Sequence, residues 1–305
     1  MPVLSAVWTI CVYRFCDQYW WATLLGTPPL TYMVGTTLFL LILMLILGKG
    51  KEVKWLAAVL MAIVGFLAYH PIPAGPSPGQ HLISVMSWNV RSGYSPSEAL
   101  AKQIKKYDPD VVCLQQSTPQ ITQELADILG GYNYRASGQI GILTKLSIIE
   151  DQTVVVGEAK ERSSILGLRL ALEDKKFWVA SVHLVHGFRP NWLKPVDDLQ
   201  NRLDLGSQVR TMQLDAVLNT FATKEEPVLL AGDFNMQPTG FLYRKITRKF
   251  VDTAPAFPPV ATYPNFAPAW NIDQIFVKDL HSTHKKSIST TLSEHLPVMV
   301  EVSLP

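Results

Sequence analysis

The chain has 305 residues, 48% of them apolar and only 17% charged, with a formal net charge of +2. That length allows one large domain or two small ones, and the charge content is low for a soluble protein. Four basic side chains (Arg14, Lys49, Lys51, Lys54) and two acidic ones (Asp17, Glu52) in the first 70 residues account for the whole net charge. The remainder is formally neutral, which disfavours a grip on long nucleic acid, a use that calls for a basic excess. The three cysteines, Cys11, Cys16 and Cys113, make neither a disulfide framework nor a metal-binding spacing.

The low charge has a local cause. Residues 31–47 and 55–69 contain no charged side chain. With their flanks, each run approaches the ~20 residues that span a bilayer. The expectation is an N-terminal transmembrane helical region over residues 1–70, with spans near 30–48 and 54–70. Residues 3–25 are apolar and aromatic but include Arg14 and Asp17. They read as a further span or as an interfacial helix. No basic cluster precedes an apolar run at the start, so a cleavable signal peptide is not expected. The connecting loop carries Lys49, Lys51 and Lys54. Short basic loops stay cytoplasmic, which would place the rest of an integral membrane protein on the non-cytoplasmic face. Residues 71–80 hold Pro71, Pro73, Pro76 and Pro78 and read as an extended linker to a globular domain over residues 81–305.

In that domain, Leu82–Trp88 reads as a strand, and Ser95–Tyr107 as a helix with Pro96 in its first turn. Asp110–Gln116 is a buried strand in which Cys113 is core, and Pro119–Leu129 is a helix ended by Gly130 and Gly131. Strands follow at Gly141–Thr144, Thr153–Val156, Ser164–Leu172 and Phe177–Leu184. The longest amphipathic helix is Asp197–Phe221, with Leu199, Leu203, Val209, Met212, Ala216 and Phe221 on one stripe. A strand at Val228–Ala231, a Pro-rich loop over Thr253–Trp270 and strands at Ile272–Val277 and Val298–Val302 complete the chain. Strand pairs without an intervening helix favour two packed sheets with outer helices over a doubly wound parallel fold.

Polar residues recur where these strands end. Asn89, Gln115-Gln116, His183, Asp233 with Asn235, Asp273, and Glu294-His295 all sit at strand termini or next to them. One such residue is ordinary, and Gly232-Asp233-Phe234-Asn235 alone reads as a turn ahead of a site. The whole set suggests one shared centre.

The ordered segments Ser-Trp-Asn-Val (87–90), Leu-Gln-Gln (114–116), Ser-Val-His-Leu (181–184), Gly-Asp-Phe-Asn (232–235), Ile-Asp-Gln-Ile-Phe (272–276) and Ser-Glu-His-Leu-Pro-Val (293–298) resemble the endonuclease/exonuclease/phosphatase superfamily. Arg210 and Gln213 on the long helix also look like its pattern. The resemblance implies a four-layer α/β/β/α sandwich of two mixed sheets and Mg²⁺-dependent (or Mn²⁺-dependent) hydrolysis of phosphoester bonds. It implies His295 as general base or phosphate-facing imidazole, held by Asp273, with Asp233 in proton transfer. Asn235 would position water or a phosphate oxygen, and His183 would donate to a non-bridging oxygen. Asn89, Gln116 and Glu294 would hold the metal through oxygen. Two positions depart from the family: Gln116 stands where Glu is usual, and Glu294 where Asp is usual.

The expected function is a membrane-anchored, metal-dependent phosphodiesterase or phosphatase. Its expected partners are a lipid bilayer and a lipid or small phosphoester, favoured over nucleic acid. The alternatives are an extracytoplasmic nuclease and a phospho-ligand-binding domain weakened by Gln116. A loop with Phe188, Trp192 and Leu193 reads as either lipid-dipping or packed. For Tyr263 and Trp270, core packing is expected ahead of a place in the cleft wall.

Overall fold

The computed structural model describes residues 2–28, 30–68, 73–76, 81–156, 163–186, 196–255 and 260–305. Two sheets pack face to face. Among the described residues, the first contains β1 (Ile83–Asn89), β2 (Val111–Gln115), β3 (Asn133–Ser137), β4 (Ile140–Thr144), β11 (His281–Ser282), β12 (Lys286–Ser287) and β13 (Val298–Ser303). The second contains β5 (Ser147–Val156), β6 (Ser163–Leu172), β7 (Lys175–His183), β8 (Val228–Asp233), β9 (Val251–Asp252) and β10 (Asp273–Lys278). At the centre of each sheet two strands run parallel: β1 with β2, and β7 with β8. The other pairings are antiparallel, so both sheets are mixed.

Strict alternation along the central strands builds the layers. Val85, Val111, Cys113, Leu229 and Ala231 face the core between the sheets. Met86, Val112 and Leu114 point the other way, onto α5 (Ser97–Tyr107) and α6 (Pro119–Leu129). Val228 and Leu230 point onto α7 (Val196–Phe221) and α8 (Gly240–Ile246). This is the expected pair of packed sheets with outer helices. Sequence reading missed β3, whose residues are half-exposed and show no apolar run, and the seven-residue α8. On α7 the inward stripe is Leu203, Ser207, Arg210, Leu214, Val217 and Phe221, spaced by three and four residues. Met212, expected on that stripe, is exposed.

The N-terminal region departs most from expectation. It forms α1 (Pro2–Phe15), α2 (Trp20–Leu25), α3 (Leu30–Leu47) and α4 (Lys51–Ala68). Among the described residues, no helix is long and apolar enough to cross a membrane. The expected transmembrane spans are therefore not supported, and the sidedness drawn from the lysine loop loses its basis. Lys51, Glu52 and Lys54 occupy the first turn of α4. Thr37 of α3 is buried against α1, bonding Ser5 Oγ at 2.7 Å and Thr9 Oγ1 at 2.9 Å. Helices α1 and α2 in turn pack on α8 and α7 of the sandwich. Of the proline-rich linker, residues 73–76 are described. They lie along β11, where Ser282 N donates to Ala74 O at 2.9 Å. The loop carrying Phe188, Trp192 and Leu193 lies outside the described residues.

Candidate active site

The parallel pairs β1–β2 and β7–β8 carry their polar ends to one end of the sandwich. On β7 and β8, Val182 faces Gly232 and His183 faces Asp233. A Cβ on Gly232 would lie 1.8 Å from Val182 O, so only glycine permits this approach. Across β8, Asp273 of β10 is the antiparallel partner of Asp233. From the other sheet come Asn89 at the end of β1, Gln116 one residue past β2, and the Ser293–Leu296 turn before β13.

The side chains converge on Asp233. Its Oδ2 accepts a hydrogen bond from Asn89 Nδ2 at 3.0 Å, and its Oδ1 accepts from Asn235 N at 3.0 Å. His295 Nδ1 lies 2.9 Å from Asp273 Oδ2, while its Nε2 lies 3.8 Å from Asp233 Oδ2. His183 Nε2 lies 3.7 Å from the same oxygen. Both Nε2 atoms are too far to hydrogen-bond the carboxylate directly. Burial would hold His295 neutral, but Asp273 and Asp233 outweigh it and push its pKa up to about 9. Burial pushes the His183 pKa down, against the pull of Asp233. Burial also raises the Asp233 carboxyl, opposed by the charge on His295. The surroundings thus pull the two histidines in opposite directions, His295 toward the imidazolium and His183 toward the neutral ring. Of the two roles implied for His295, this geometry fits the phosphate-facing one. Asp233, its pKa raised, is the better placed base.

Several supporting contacts were not legible in sequence. Trp88 Nε1 donates to His295 O at 3.1 Å, and Ser293 Oγ donates to Asn89 O at 2.6 Å, tying the last turn to β1. Lys285 is buried and donates to Asp273 O at 2.6 Å and Asn271 Oδ1 at 2.8 Å. Nothing local marks a lysine as buried; its partners come from 12 and 14 residues away. Arg210 Nη1 donates to Asn235 O at 2.9 Å, and Gln213 Oε1 accepts from Val185 N at 2.8 Å. Asn235 Nδ2 donates to Leu184 O at 2.9 Å. The amide of Asn235 thus braces the β7 exit, and its backbone sits in the left-handed region at φ 49°, which asparagine tolerates.

The residues open onto a cavity of about 630 Å³. Gln116, His183, Asp233, Asn235, Glu294 and His295 all line it. So do Tyr263 and Trp270, which places both in the cleft wall. The Tyr263 ring lies 4.8 Å from the His295 ring. Asn89 lies beneath, its Oδ1 accepting from Arg91 N at 3.1 Å. Glu294 is ion-paired with Arg91. Asn89, Gln116 and Glu294 offer oxygen atoms only, which fits a hard divalent cation, with a single formal negative charge among them. Asp233, Asp273 and His295 form a second group that could hold an ion, with one ligand atom from each lying within 4.8 Å of the others. There, however, the carboxylate of Asp273 already holds the imidazole.

Two packed mixed sheets, with a carboxylate-held imidazole and a buried aspartate at one end, define an α/β sandwich with a candidate catalytic centre at that end. The chain belongs to the Endonuclease/Exonuclease/phosphatase family, whose model matches residues 86–295. No curated protein matches it. Among solved structures, it is similar to an endonuclease/exonuclease/phosphatase from Bacteroides vulgatus, at 17% identity and a TM-score of 0.61, covering 74% of this chain and 100% of that one. It is similar to humanized D. rerio TDP2, at 19% identity and a TM-score of 0.57, covering 73% and 99%. It is also similar to the Bacteroides thetaiotaomicron mannosyl-6-phosphatase Bt3783, at 18% identity and a TM-score of 0.56, covering 73% and 100%. At these identities the likeness is one of fold.

Proposed function

We propose that the protein is a metal-dependent phosphoester hydrolase acting on small or lipid phosphoesters in preference to nucleic acid. The observation that carries this reading is the placement of His295, held by Asp273, and His183 on either side of Asp233. Asp233 accepts the proton of the attacking water. His295 and His183 donate to phosphoryl oxygens as negative charge develops on them. Asn89, Gln116 and Glu294 would hold the cation, which when bound would supply further charge neutralisation. Side chains exposed on α3 and α4, among them Phe39, Ile42, Ile46, Trp55 and Leu56, support contact with a lipid surface.

The test is hydrolysis of bis(p-nitrophenyl) phosphate, p-nitrophenyl phosphate, a short-chain phospholipid and an oligonucleotide, with Mg²⁺, Mn²⁺ or EDTA. Metal-dependent turnover that is lost in His295→Ala supports the reading. Turnover unaffected by that substitution, or none on any substrate, removes it. Flotation of the full chain with liposomes tests the lipid contact. A second reading, a phospho-ligand-binding domain with weakened catalysis, is favoured by one feature: the only carboxylate of the metal set, Glu294, is paired with Arg91.

A further inference from the structure

The cavity wall is not built by the sandwich alone. Cys16, Asp17, Thr23, Gly26 and Thr27, from the turn between α1 and α2 and the end of α2, line it together with the active-site residues. This segment is held to the sandwich by bonds from five side chains and backbone groups. Phe241 N donates to Cys16 O at 2.9 Å. The Arg244 guanidinium donates to Tyr13 O and, at 2.8 Å, to Arg14 O, and it stacks over the Tyr13 ring. Gln237 Nε2 donates to Gly26 O at 2.8 Å and to Pro28 O at 3.0 Å. Trp270 Nε1 donates to Thr27 O at 2.7 Å. Arg210 Nη2 forms a buried ion pair with Asp17 Oδ1 at 2.8 Å. Gly240 completes the fit, since a Cβ there would lie 2.9 Å from Asp17 Oδ2.

Two properties distinguish this contact from incidental packing. Arg210, the partner of Asp17, also holds the carbonyl of Asn235, so the segment is joined to the catalytic loop through one guanidinium. Asp17 is moreover a buried charge in a strongly apolar stretch, a placement that is costly unless the charge is paired.

We propose that residues 13–28 form a fixed wall of the substrate cavity and restrict the enzyme to small phosphoesters, excluding duplex nucleic acid. The inference rests on the hydrolase reading above and names its substrate class. A half-open cavity of about 630 Å³, walled on one side by residues 16–27, suits a compact phosphorylated molecule or a single headgroup. A duplex needs an open face on which its backbone can lie across the site. Without residues 13–28 the site would have such an opening on that side.

The test uses the full chain carrying Arg244→Glu, which sets a carboxylate against the carbonyls of Tyr13 and Arg14. Arg244 is outside the cavity and makes no contact with the reacting groups. Hydrogen exchange of residues 13–28 reports release of the wall. Rates on bis(p-nitrophenyl) phosphate and on a 20-base-pair duplex report substrate size. The expected result is faster exchange at 13–28, with a rise of tenfold or more in the duplex-to-small-substrate ratio of kcat/KM. A released segment with an unchanged ratio overturns the proposal. So does a segment that stays protected when Gln237→Ala is combined with Arg244→Glu, since the named contacts would then not be what holds it. If the unaltered chain hydrolyses neither of these compounds, nor p-nitrophenyl phosphate, nor a short-chain phospholipid, the hydrolase reading fails. The wall is then judged by exchange with inorganic phosphate: protection gained at residues 16–27 supports it, and no gain overturns it.

Discussion

Gly232 and Val182 stand so close across β7 and β8 that a single added carbon on Gly232 would fall 1.8 Å from the Val182 carbonyl oxygen. The next pair along these strands is His183 and Asp233. Gly232→Ala is therefore expected to force the strands apart at the catalytic end. A destabilisation of about 3 kcal/mol is expected from overpacking of this severity. Urea unfolding measures it, and activity should fall by more than the loss of folded protein explains.

His295 and Asp273 act as a unit. His295→Gln and Asp273→Asn should each lower kcat by roughly 10²–10⁴-fold, the range for a positioned proton donor or acceptor. The double variant should be little worse than the worse single one, because each substitution removes the same function. Additive losses in steady-state kinetics would show that the two residues work separately.

The same pair makes stability depend on pH in a defined direction. The pKa of His295 is raised from 6.5 to about 9 in the folded chain. Its stabilising contribution is thus full below pH 6.5 and lost as pH rises through about 9. A shift of this size corresponds to about 3 kcal/mol. Thermal unfolding of the unaltered chain and of His295→Gln should differ most at pH 6 and converge by pH 9 to 10. A gap that widens with pH would contradict the assignment.

Gln116 is the residue through which the two functional readings can be separated. Gln116→Glu adds a carboxylate to a donor set with one formal charge, and affinity for such cations follows ligand charge. Mg²⁺ binding measured calorimetrically should tighten by roughly tenfold or more, with kcat rising alongside if the native site is weakened. Unchanged binding and rate would mean that Gln116 does not contact the ion.

Much of the sandwich was legible because its central strands are short, nearly continuous apolar runs. Val111–Gln115 and Val228–Asp233 bury both faces, so they read as strands without any knowledge of their neighbours. The strand β3 was illegible because its residues are half-exposed, and α8 because seven residues give too little periodicity. At the site, the polar residues at strand ends were legible one by one. Their convergence follows from the register of β7, β8 and β10, which sets His183, Asp233 and Asp273 side by side. Arg91 and Lys285 carried no local signal, since an exposed-looking cation acquires its role only from the carboxylate or carbonyls it meets.

What the amino-acid sequence determined by itself is the sandwich and the identity of the polar groups at its strand ends, because apolar runs and strand-end chemistry are local properties. What only the tertiary structure decided is where the first 28 residues go. Composition alone reads them as membrane-associated. The ion pair of Asp17 with Arg210, residues far apart in the chain, and the hydrogen bonds from Gln237, Arg244 and Trp270 instead set them against the catalytic cavity. Hydropathy measures how strongly a segment avoids water. It does not record whether lipid or another part of the same chain covers the segment, and that depends on long-range partners which no local pattern encodes.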